Sequence, residues 1–338
     1  MAATGITDSD GLHPNSIVQS LNNFARFQSR TVHATPDNER PNSSDEIARI
    51  DVQHEIAVYE RFHKHENTEF SQKQVDEVLS AVSRNTAAGD DDIHNLMLLH
   101  TGPTLRSNIR TLINYCHTTG TVPTIWKTVK TIPLFKSGSA HDPSNYRVIS
   151  LNPTLLKVME GVMLRHIRTF VPDSKLADTQ FGFRPGRATG DAIHFVLDRI
   201  LRSFKQPTAK HRFLPVVFLD ISKAFDRVRP TNILHAAAKR KVPGRTLKWL
   251  KSYLTGRSFY ISSMSKTSDP VPAENGTPQG AILSPFLFLI FIDEIANICR
   301  KHGVTAVLFA DDICLLPERW RRHFHATPKR TQRFVGVG

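Results

Sequence analysis

The chain has 338 residues, 40% of them hydrophobic and 22% charged, which is typical of a folded globular protein and excludes a fibrous or wholly disordered one. Its 44 Lys and Arg residues against 31 Asp and Glu residues give a net charge of +13, which favours a polyanionic partner such as nucleic acid. The three cysteines show no CxxC spacing, so neither a disulfide scaffold nor a zinc module is predicted.

The sequence also predicts a soluble intracellular protein with no membrane partner. Its N-terminus lacks the basic and apolar blocks of a signal peptide. The longest apolar run, residues 281–292, is interrupted by Ser284 and Pro285 and is too short to span a bilayer.

The N-terminal part divides into an arm and a helical region. Residues 1–44 are polar and lack periodicity, which predicts a disordered or loosely attached arm. The capping-box pattern of Ser71 and Gln74 precedes apolar residues on one helical face and predicts a helix start. A second helix is predicted to end at Gly120. Residues 45–125 are therefore expected to form an N-terminal helical extension.

The middle of the chain alternates between strands and helices without a regular βαβ pattern. Residues 129–135 predict a strand, and Asn152 and Pro153 predict the N-cap and first residue of a helix. A further helix is predicted from about Thr189. The bulky apolar run 213–219 predicts a buried strand that ends at Asp220. The later elements are predicted as a helix over 246–254, a strand over 258–262 and a helix over 285–300.

The last predicted element is a hairpin with acidic residues at its tip. The apolar runs 304–309 and 313–316 are separated only by Ala310, Asp311 and Asp312. The whole pattern predicts an α+β fold with a small antiparallel sheet backed by helices. Because no Walker A or GxGxxG sequence occurs, a P-loop nucleoside triphosphatase and a dinucleotide-binding fold are excluded.

Three carboxylates are candidates for metal binding. Asp311 and Asp312 would place like charges side by side, which is unfavourable unless a cation neutralises them. Bringing Asp220 beside them would create an all-oxygen site suited to Mg²⁺. Two such ions about 4 Å apart can support phosphoryl or nucleotidyl transfer. Taken singly, a carboxylate at a strand end, such as Asp220, is more often a solvated cap than a metal ligand.

Five blocks, in the same order, resemble those of reverse transcriptases. They match the family's NYRPISL, QxGFR, first catalytic, PQG and F/YxDD motifs at residues 145–151, 180–184, 218–226, 276–285 and 309–312. Within the family, the chain is similar to the polymerases of non-LTR (LINE-type, jockey-like) retrotransposons over about residues 70–316. The resemblance implies the palm-and-fingers polymerase fold, with fingers and palm at residues 126–316.

By this resemblance, the catalytic and metal-binding residues are Asp220, Asp311 and Asp312, joined by the main-chain carbonyl of Ile221. They would hold two Mg²⁺ ions, with Mn²⁺ as a substitute. A primer 3′-hydroxyl would attack the α-phosphate of a nucleotide, and pyrophosphate would leave. Phe225 would lie beneath the incoming sugar and leave no room for a 2′-hydroxyl, so deoxynucleotides are expected.

The resemblance also implies four further nucleotide contacts. Lys136 and Arg147 would grip the triphosphate, since cations form charge-assisted bonds with phosphate. Gln279 and Gly280 would form a turn that approaches the template–nucleotide pair.

The implied macromolecular partner is an RNA template annealed to a DNA primer. Gly182 and Arg184 would lie against the template strand. The expected location is the nucleus or cytoplasm, as a ribonucleoprotein. Any nuclease or thumb function is expected from another chain.

The sequence departs from the family pattern at three places. Val148 replaces the proline of the NYRPISL block, and the loop at 87–92 is more acidic than its counterpart. After Leu316 the motifs end, so a divergent basic tail is predicted over 317–338, with the thumb missing.

Three alternatives remain open. The first is an inactive relic of a retroelement that at most binds RNA through its basic surface. The second is a viral RNA-dependent RNA polymerase, which is disfavoured because those enzymes carry Gly where Ala310 stands and because Phe225 would exclude ribonucleotides. The third is a group II intron maturase, which shares the core motifs.

Overall fold

The computed structural model describes residues 17–33, 43–63, 69–205, 214–263 and 266–318. The chain forms two compact units. It leaves the first unit after Val171, returns to it at Phe225 and leaves it again after Leu287. None of the described helices is long and apolar enough to cross a membrane.

Helices and short strands make up both units. In chain order the helices are α1 (Ile17–His33), α2 (Ser43–Val58), α3 (Gln72–Ala81), α4 (Asn95–Leu99), α5 (Pro103–Thr119), α6 (Thr154–Phe170), α7 (Thr189–Phe204), α8 (Ala224–Arg227), α9 (Pro230–Lys239), α10 (Gly244–Leu254), α11 (Ser284–Ile292) and α12 (Glu294–Lys301). The strands are β1 (Thr128–Phe135), β2 (Tyr146–Leu151), β3 (Val217–Asp220), β4 (Arg257–Ser263), β5 (Lys266–Thr267), β6 (Val271–Ala273), β7 (Val304–Phe309) and β8 (Asp312–Pro317). The predicted α+β class is confirmed.

A mixed sheet organises the first unit. Strand β1 pairs antiparallel with β2 and parallel with β4, and β4 also pairs with β5 and β6. Helix α1 covers part of this sheet, where Leu21 and Phe24 pack with Tyr146 and Ile261. Residues 17–33 of the predicted arm are therefore a packed helix, because apolar residues at helical spacing find this sheet. Residues 1–16 and 34–42 lie outside the described residues.

The start and end signals of two helices are confirmed. Ser71 caps α3 and forms the predicted capping box, since the Gln74 N–H donates to Ser71 Oγ at 3.3 Å and the Ser71 N–H donates to Gln74 Oε1 at 2.8 Å. Helix α5 ends at Gly120, which has a φ of +67°. A left-handed residue of this kind ends many helices, and glycine adopts it without strain.

The predicted N-cap of α6 is wrong by one residue. Pro153, not Asn152, is the cap residue, and it makes no side-chain capping bond. The side chain of Asn152 is buried and donates instead to the carboxylate of Glu160 at 2.9 Å. A carboxylate accepts strong hydrogen bonds, and this tertiary contact turns the Asn152 amide toward Glu160.

The second unit contains a three-stranded antiparallel sheet in the order β3-β8-β7. The apolar run before Asp220 does form a strand, but that strand is exposed rather than buried, with Phe218 75% exposed. Among the described strands it is an edge strand of this sheet and pairs with β8. Residue 213 of the predicted strand lies outside the described residues.

The helix predicted over 285–300 is two helices, α11 and α12, that meet at Asp293. The Asp293 carboxylate accepts the N–H of Ala177 at 3.0 Å, a tertiary contact that no local pattern signals.

Two histidines, the buried His117 and the half-buried His166, lie between α5, α6 and α10 in the first unit. The rings of His117 and His166 are 5.2 Å apart, and each lies within hydrogen-bond reach of the Thr246 hydroxyl, at 3.3 and 3.2 Å. Burial lowers the pKa of His117 to about 3, and the charges of His166 and Arg245 add to this effect. Burial and the Arg245 charge lower the pKa of His166 to about 4.

We expect acid to destabilise the fold through these histidines. Their pKa values in the folded protein lie below the usual 6.5, so the unfolded chain binds more protons as the pH falls. Each histidine therefore costs up to about 1.4 kcal/mol of unfolding free energy per pH unit between about pH 6.5 and its folded pKa. Urea unfolding at about pH 7 and pH 5 should show a shallower pH dependence in His166→Gln than in the parent.

Glu160 affects the pH dependence of stability in the opposite direction, so the effect of His166 is measured as the difference between the parent and His166→Gln. Burial raises the pKa of Glu160 to about 7, so protonation of that carboxyl favours the folded state as the pH falls below 7. This contribution is common to both proteins. Equal pH dependence in the parent and in His166→Gln would contradict the prediction.

Candidate functional site

The predicted acidic hairpin is present in the second unit. Strand β7 ends at Phe309 and β8 begins at Asp312, and these two residues pair across the hairpin. The turn consists of Ala310 and Asp311, with Ala310 at a φ of +56°. The turn is held in this left-handed conformation although alanine has a Cβ, which costs free energy that the surrounding contacts offset.

Strand pairing brings the third acid to the same end of the sheet. Strand β3 pairs antiparallel with β8, and Asp220 is the register partner of Asp312. Residues directly opposite each other in such a pair have Cβ atoms about 5 Å apart, and like charges at that distance repel. Asp220 and Asp312 are exposed and Asp311 is half-buried, so all three can reach solvent. The arrangement favours a bound cation.

The donor chemistry of this end of the sheet suits Mg²⁺. Three carboxylates provide only oxygen ligands, which Mg²⁺ prefers. In the part of the chain that the structure describes, no three His, Cys, Asp or Glu side chains lie close enough together to hold a metal ion, so cation binding by these three acids stays a prediction that rests on the backbone register. The main-chain oxygen of Ile221 accepts the Ala224 N–H at 3.2 Å and retains a second lone pair.

The segment that contains Gly182 supports the hairpin from the other side. It runs beside β7, where the Phe181 N–H donates to the Leu308 oxygen at 2.8 Å and the Leu308 N–H donates to the Thr179 oxygen at 2.9 Å. Gly182 is buried against the turn, and a Cβ at this position would overlap the main-chain nitrogen of Ala310. Its contacts thus reach the acidic turn directly.

Arg184 is buried, and its guanidinium donates to main-chain oxygens. The acceptors are Ala177 at 2.8 Å, Gln180 at 3.0 Å and Asp173 at 2.9 Å. These bonds hold together the loop that leads to Gly182. Contact of Arg184 with a template strand stays a prediction, and the observed bonds favour a role in shaping that loop.

In the first unit, Lys136 and Arg147 share one face of the β1–β2 hairpin. Arg147 pairs with Leu134, and the Lys136 N–H donates to the Asn145 oxygen at 2.8 Å. Positions 134 and 136 are on the same face because side chains alternate along a strand. Both cations are exposed, so they are available for an anionic ligand.

The turn at Gln279 and Gly280 is attached to the same hairpin. The Ser150 N–H donates to the Gln279 oxygen at 2.8 Å, and Gly280 has a φ of +99°. A Cβ at Gly280 would lie 3.0 Å from the Ser150 oxygen, so only glycine allows this approach without strain. The Gln279 side chain donates to the Asp226 carboxylate at 2.6 Å.

Phe225 is joined to this turn through the main chain. The Thr277 N–H donates to the Phe225 oxygen at 2.8 Å. Gly276 has a φ of +75°, and a Cβ there would lie 2.7 Å from the Phe225 oxygen. The first unit therefore brings together all five predicted nucleotide contacts, while the second unit brings together the predicted catalytic and template contacts.

The structure gives roles to three residues to which the sequence analysis assigned none, two of them inside the motif blocks. Asp226 holds the Gln279 side chain, and Gly276 lets its segment approach Phe225. Glu160 is fully buried in α6 and accepts bonds from the residues after Gly280. The sequence signal that could have identified Glu160 is a single acidic residue among the apolar residues of a predicted helix.

Comparison with known proteins places these observations in context. The family model described as reverse transcriptase (RNA-dependent DNA polymerase) matches residues 135–335, more than half of the chain. That range includes part of the 317–338 segment, whose description as a divergent basic tail stays a prediction. Residues 319–338 lie outside the described residues.

Several curated proteins of Drosophila melanogaster are similar to the chain. A probable RNA-directed DNA polymerase from transposon X-element is 30% identical over 252 residues, which are 73% of this chain and 27% of that protein. The polymerase from transposon BS is 30% identical over 57% of this chain and 22% of its own length. The RNA-directed DNA polymerase from mobile element jockey is 28% identical over 72% of this chain and 27% of its own length. The matched part of the chain thus spans about a quarter of these relatives.

Proposed function

Since the chain belongs to the reverse transcriptase (RNA-dependent DNA polymerase) family, we propose that it catalyses RNA-directed DNA synthesis. The observation that carries this proposal is the β3–β8 register, which sets Asp220 opposite Asp312 beside the turn residue Asp311. Three carboxylates at one sheet end are the oxygen ligands that nucleotidyl transfer requires.

The proposed reaction joins a primer to a deoxynucleotide. The primer 3′-hydroxyl gives up its proton to solvent and its oxygen forms a bond with the α-phosphorus, the bond from that phosphorus to the β-phosphate oxygen breaks, and pyrophosphate leaves. Asp220, Asp311 and Asp312, with the Ile221 oxygen, would hold Mg²⁺ or Mn²⁺, which supplies Lewis-acid stabilisation of the charge on the reacting oxygens. The carboxylates themselves can accept a hydrogen bond from the attacking hydroxyl and orient it.

The first unit would bind the nucleotide. Lys136 and Arg147 present two exposed cations on one hairpin face, where charge-assisted bonds to a triphosphate form. Gln279 and Gly280 form a turn attached to the same hairpin. An exposed glycine lets a base pair approach the backbone closely.

The proposed partner is an RNA template annealed to a DNA primer, bound as a ribonucleoprotein in the nucleus or cytoplasm. The net charge of +13 supports a nucleic-acid partner, since cations on the surface release counterions from the phosphate backbone. Gly182 is the residue of the predicted template contacts that also touches the acidic turn.

Single-nucleotide incorporation tests this function. The protein, in excess over a short RNA template annealed to a DNA primer, would be given Mg²⁺ and one complementary dNTP. Excess protein removes the requirement for processive synthesis. Extension of the primer by one nucleotide, abolished by EDTA, is the expected result. A folded protein that binds the primer–template but extends nothing with Mg²⁺ or Mn²⁺ is an inactive relic, and that result would overturn the proposal.

The ring of Phe225 should set the preference for deoxynucleotides. Its side chain is half-buried, and its main-chain oxygen accepts the Thr277 N–H next to the proposed nucleotide-binding turn. In Phe225→Ala, we expect the ratio of kcat/KM for dNTP over rNTP to fall at least about tenfold, because the smaller side chain no longer rejects a 2′-hydroxyl. The measurement is single-nucleotide incorporation with matched dCTP and CTP. Phe225→Tyr keeps the ring and should keep the preference; an unchanged ratio in Phe225→Ala would contradict the assignment.

A further inference from the structure

Glu160 is a fully buried carboxylate that the proposed reaction does not use. It lies in α6, where its neighbours on the buried face include Leu156, Met159 and Met163. Burying a carboxylate in such surroundings costs several kcal/mol unless hydrogen bonds satisfy it. Burial raises its pKa to about 7, so the cost is evident in the molecule.

Four donors surround this carboxylate. On one side, the Asn152 amide donates to Oε1 at 2.9 Å and the Tyr253 hydroxyl donates to Oε1 at 3.1 Å. On the other side, the main-chain N–H groups of Ile282 and Leu283 donate to Oε2 at 2.6 and 3.4 Å. Among the described residues, the hydrogen bonds that Oε2 accepts thus come from the chain segment that follows Gly280.

That segment is held from two directions. Strand β2 binds its beginning, where the Ser150 N–H donates to the Gln279 oxygen. Glu160 binds its end, two and three residues after Gly280. Between these anchors the backbone has a φ of +99° at Gly280, which glycine adopts without strain but which its own freedom to take other conformations does not hold in place.

We infer that Glu160 is a positioning residue for nucleotide binding: its Oε2 fixes the backbone after Gly280 and thereby sets the place of Gln279 and Gly280 against the nucleotide. The claim that Glu160 affects nucleotide binding, the nucleotide part of the inference, rests on the proposed function. The claim that Glu160 fixes the backbone after Gly280, its backbone part, rests on the observed hydrogen bonds alone. An apolar residue at 160 would pack in the helix but leave two N–H groups without an acceptor.

Three variants separate this role from general stability. Glu160→Ala removes the acceptor. Glu160→Gln keeps one oxygen for the two N–H groups, and its amide can donate to the Tyr253 hydroxyl. Thr154→Val is the matched control, because it loses another buried bond of α6, from the Thr154 hydroxyl to the Ile93 oxygen at 2.6 Å, that does not reach the turn.

Hydrogen exchange read by mass spectrometry tests the backbone part without any catalysis. In Glu160→Ala, the amides of Ile282 and Leu283 should exchange at least about tenfold faster, which is the loss of one charge-assisted bond. Glu160→Gln and Thr154→Val should retain the parent rate within about threefold. Parent-like protection at these amides in a folded Glu160→Ala would overturn the inference.

Steady-state incorporation tests the nucleotide part. The KM for dNTP should rise at least about tenfold in Glu160→Ala, while the Kd for primer–template, measured by fluorescence anisotropy, changes less than about twofold. An active Glu160→Ala with faster exchange but an unchanged KM would overturn the link to the nucleotide. A parent protein that incorporates nothing would overturn the proposed function instead, and hydrogen exchange would still decide whether Glu160 fixes the turn.

Discussion

Asp311→Asn is expected to lower single-nucleotide incorporation by about a thousandfold, which corresponds to the loss of several kcal/mol of charge stabilisation. The amide has nearly the shape of the carboxylate, but it carries no negative charge for a cation. Because Asp311 lies in a turn and is only half-buried, the fold should persist. The measurement is the rate of one-nucleotide extension with Mg²⁺, with the variant and the parent side by side.

The control for this prediction is Asp178→Asn in the same unit. Asp178 is exposed and is outside the sheet that carries Asp220, so removal of its charge should leave the incorporation rate within about twofold of the parent. Affinity for the primer–template should be equal in all three proteins. If Asp311→Asn kept more than about a tenth of the parent rate, the carboxylate would not be a ligand of the reacting cation.

Gly182→Ala is expected to have the second largest effect. The added Cβ would overlap the main-chain nitrogen of Ala310 and lie 3.1 Å from the main-chain carbon of Phe309. Backbone atoms cannot move aside as a flexible side chain can, so the turn that carries Asp311 must shift. Overpacking of this kind costs about 1–3 kcal/mol of unfolding free energy. A shift of about 1 Å in a catalytic group lowers the rate by about a hundredfold.

Gly190→Ala provides the matched glycine control. Gly190 is exposed in α7 of the same unit, and a Cβ there would meet no atom within 4 Å. Alanine also favours a helix more than glycine does, so this variant should be as stable as the parent or slightly more stable. Incorporation by Gly182→Ala at the parent rate would show that the packing against Ala310 does not position Asp311. Urea unfolding of both variants measures the stability part.

The family, the α+β class and most of the local structure could be predicted from the order of the residues alone. The resemblance to LINE-type retrotransposon polymerases, with the palm-and-fingers fold that it implies, is confirmed by the family match and the transposon relatives. The Ser71 capping box, the end of α5 at Gly120 and the hairpin at Asp311 are confirmed as well. These features depend on residues close together in the chain, whose conformational preferences act before any tertiary contact forms.

The register between β3 and β8 and the exposure of β3 depend on contacts between elements far apart in the chain, so they are known from the tertiary structure and not from the sequence. The pairing of Asp220 with Asp312 depends on how two distant strands align. The exposure of Phe218 depends on β3 being an edge strand. The sequence of an apolar strand is the same whether other elements cover one face of its sheet, both faces or neither. The apolar pattern therefore could not predict how far β3 is buried.

The polar contacts of α6 show the same division. The sequence predicts this helix from its apolar periodicity, but Asn152 leaves the helix end to bind Glu160, and Glu160 binds the backbone beyond Gly280. Hydrogen bonds between residues far apart in the chain are strengthened when burial removes the water that competes for the same groups. This buried environment exists only after the helix, the sheet and the turn have packed together. The residues next to Asn152 and Glu160 in the sequence therefore do not indicate these bonds.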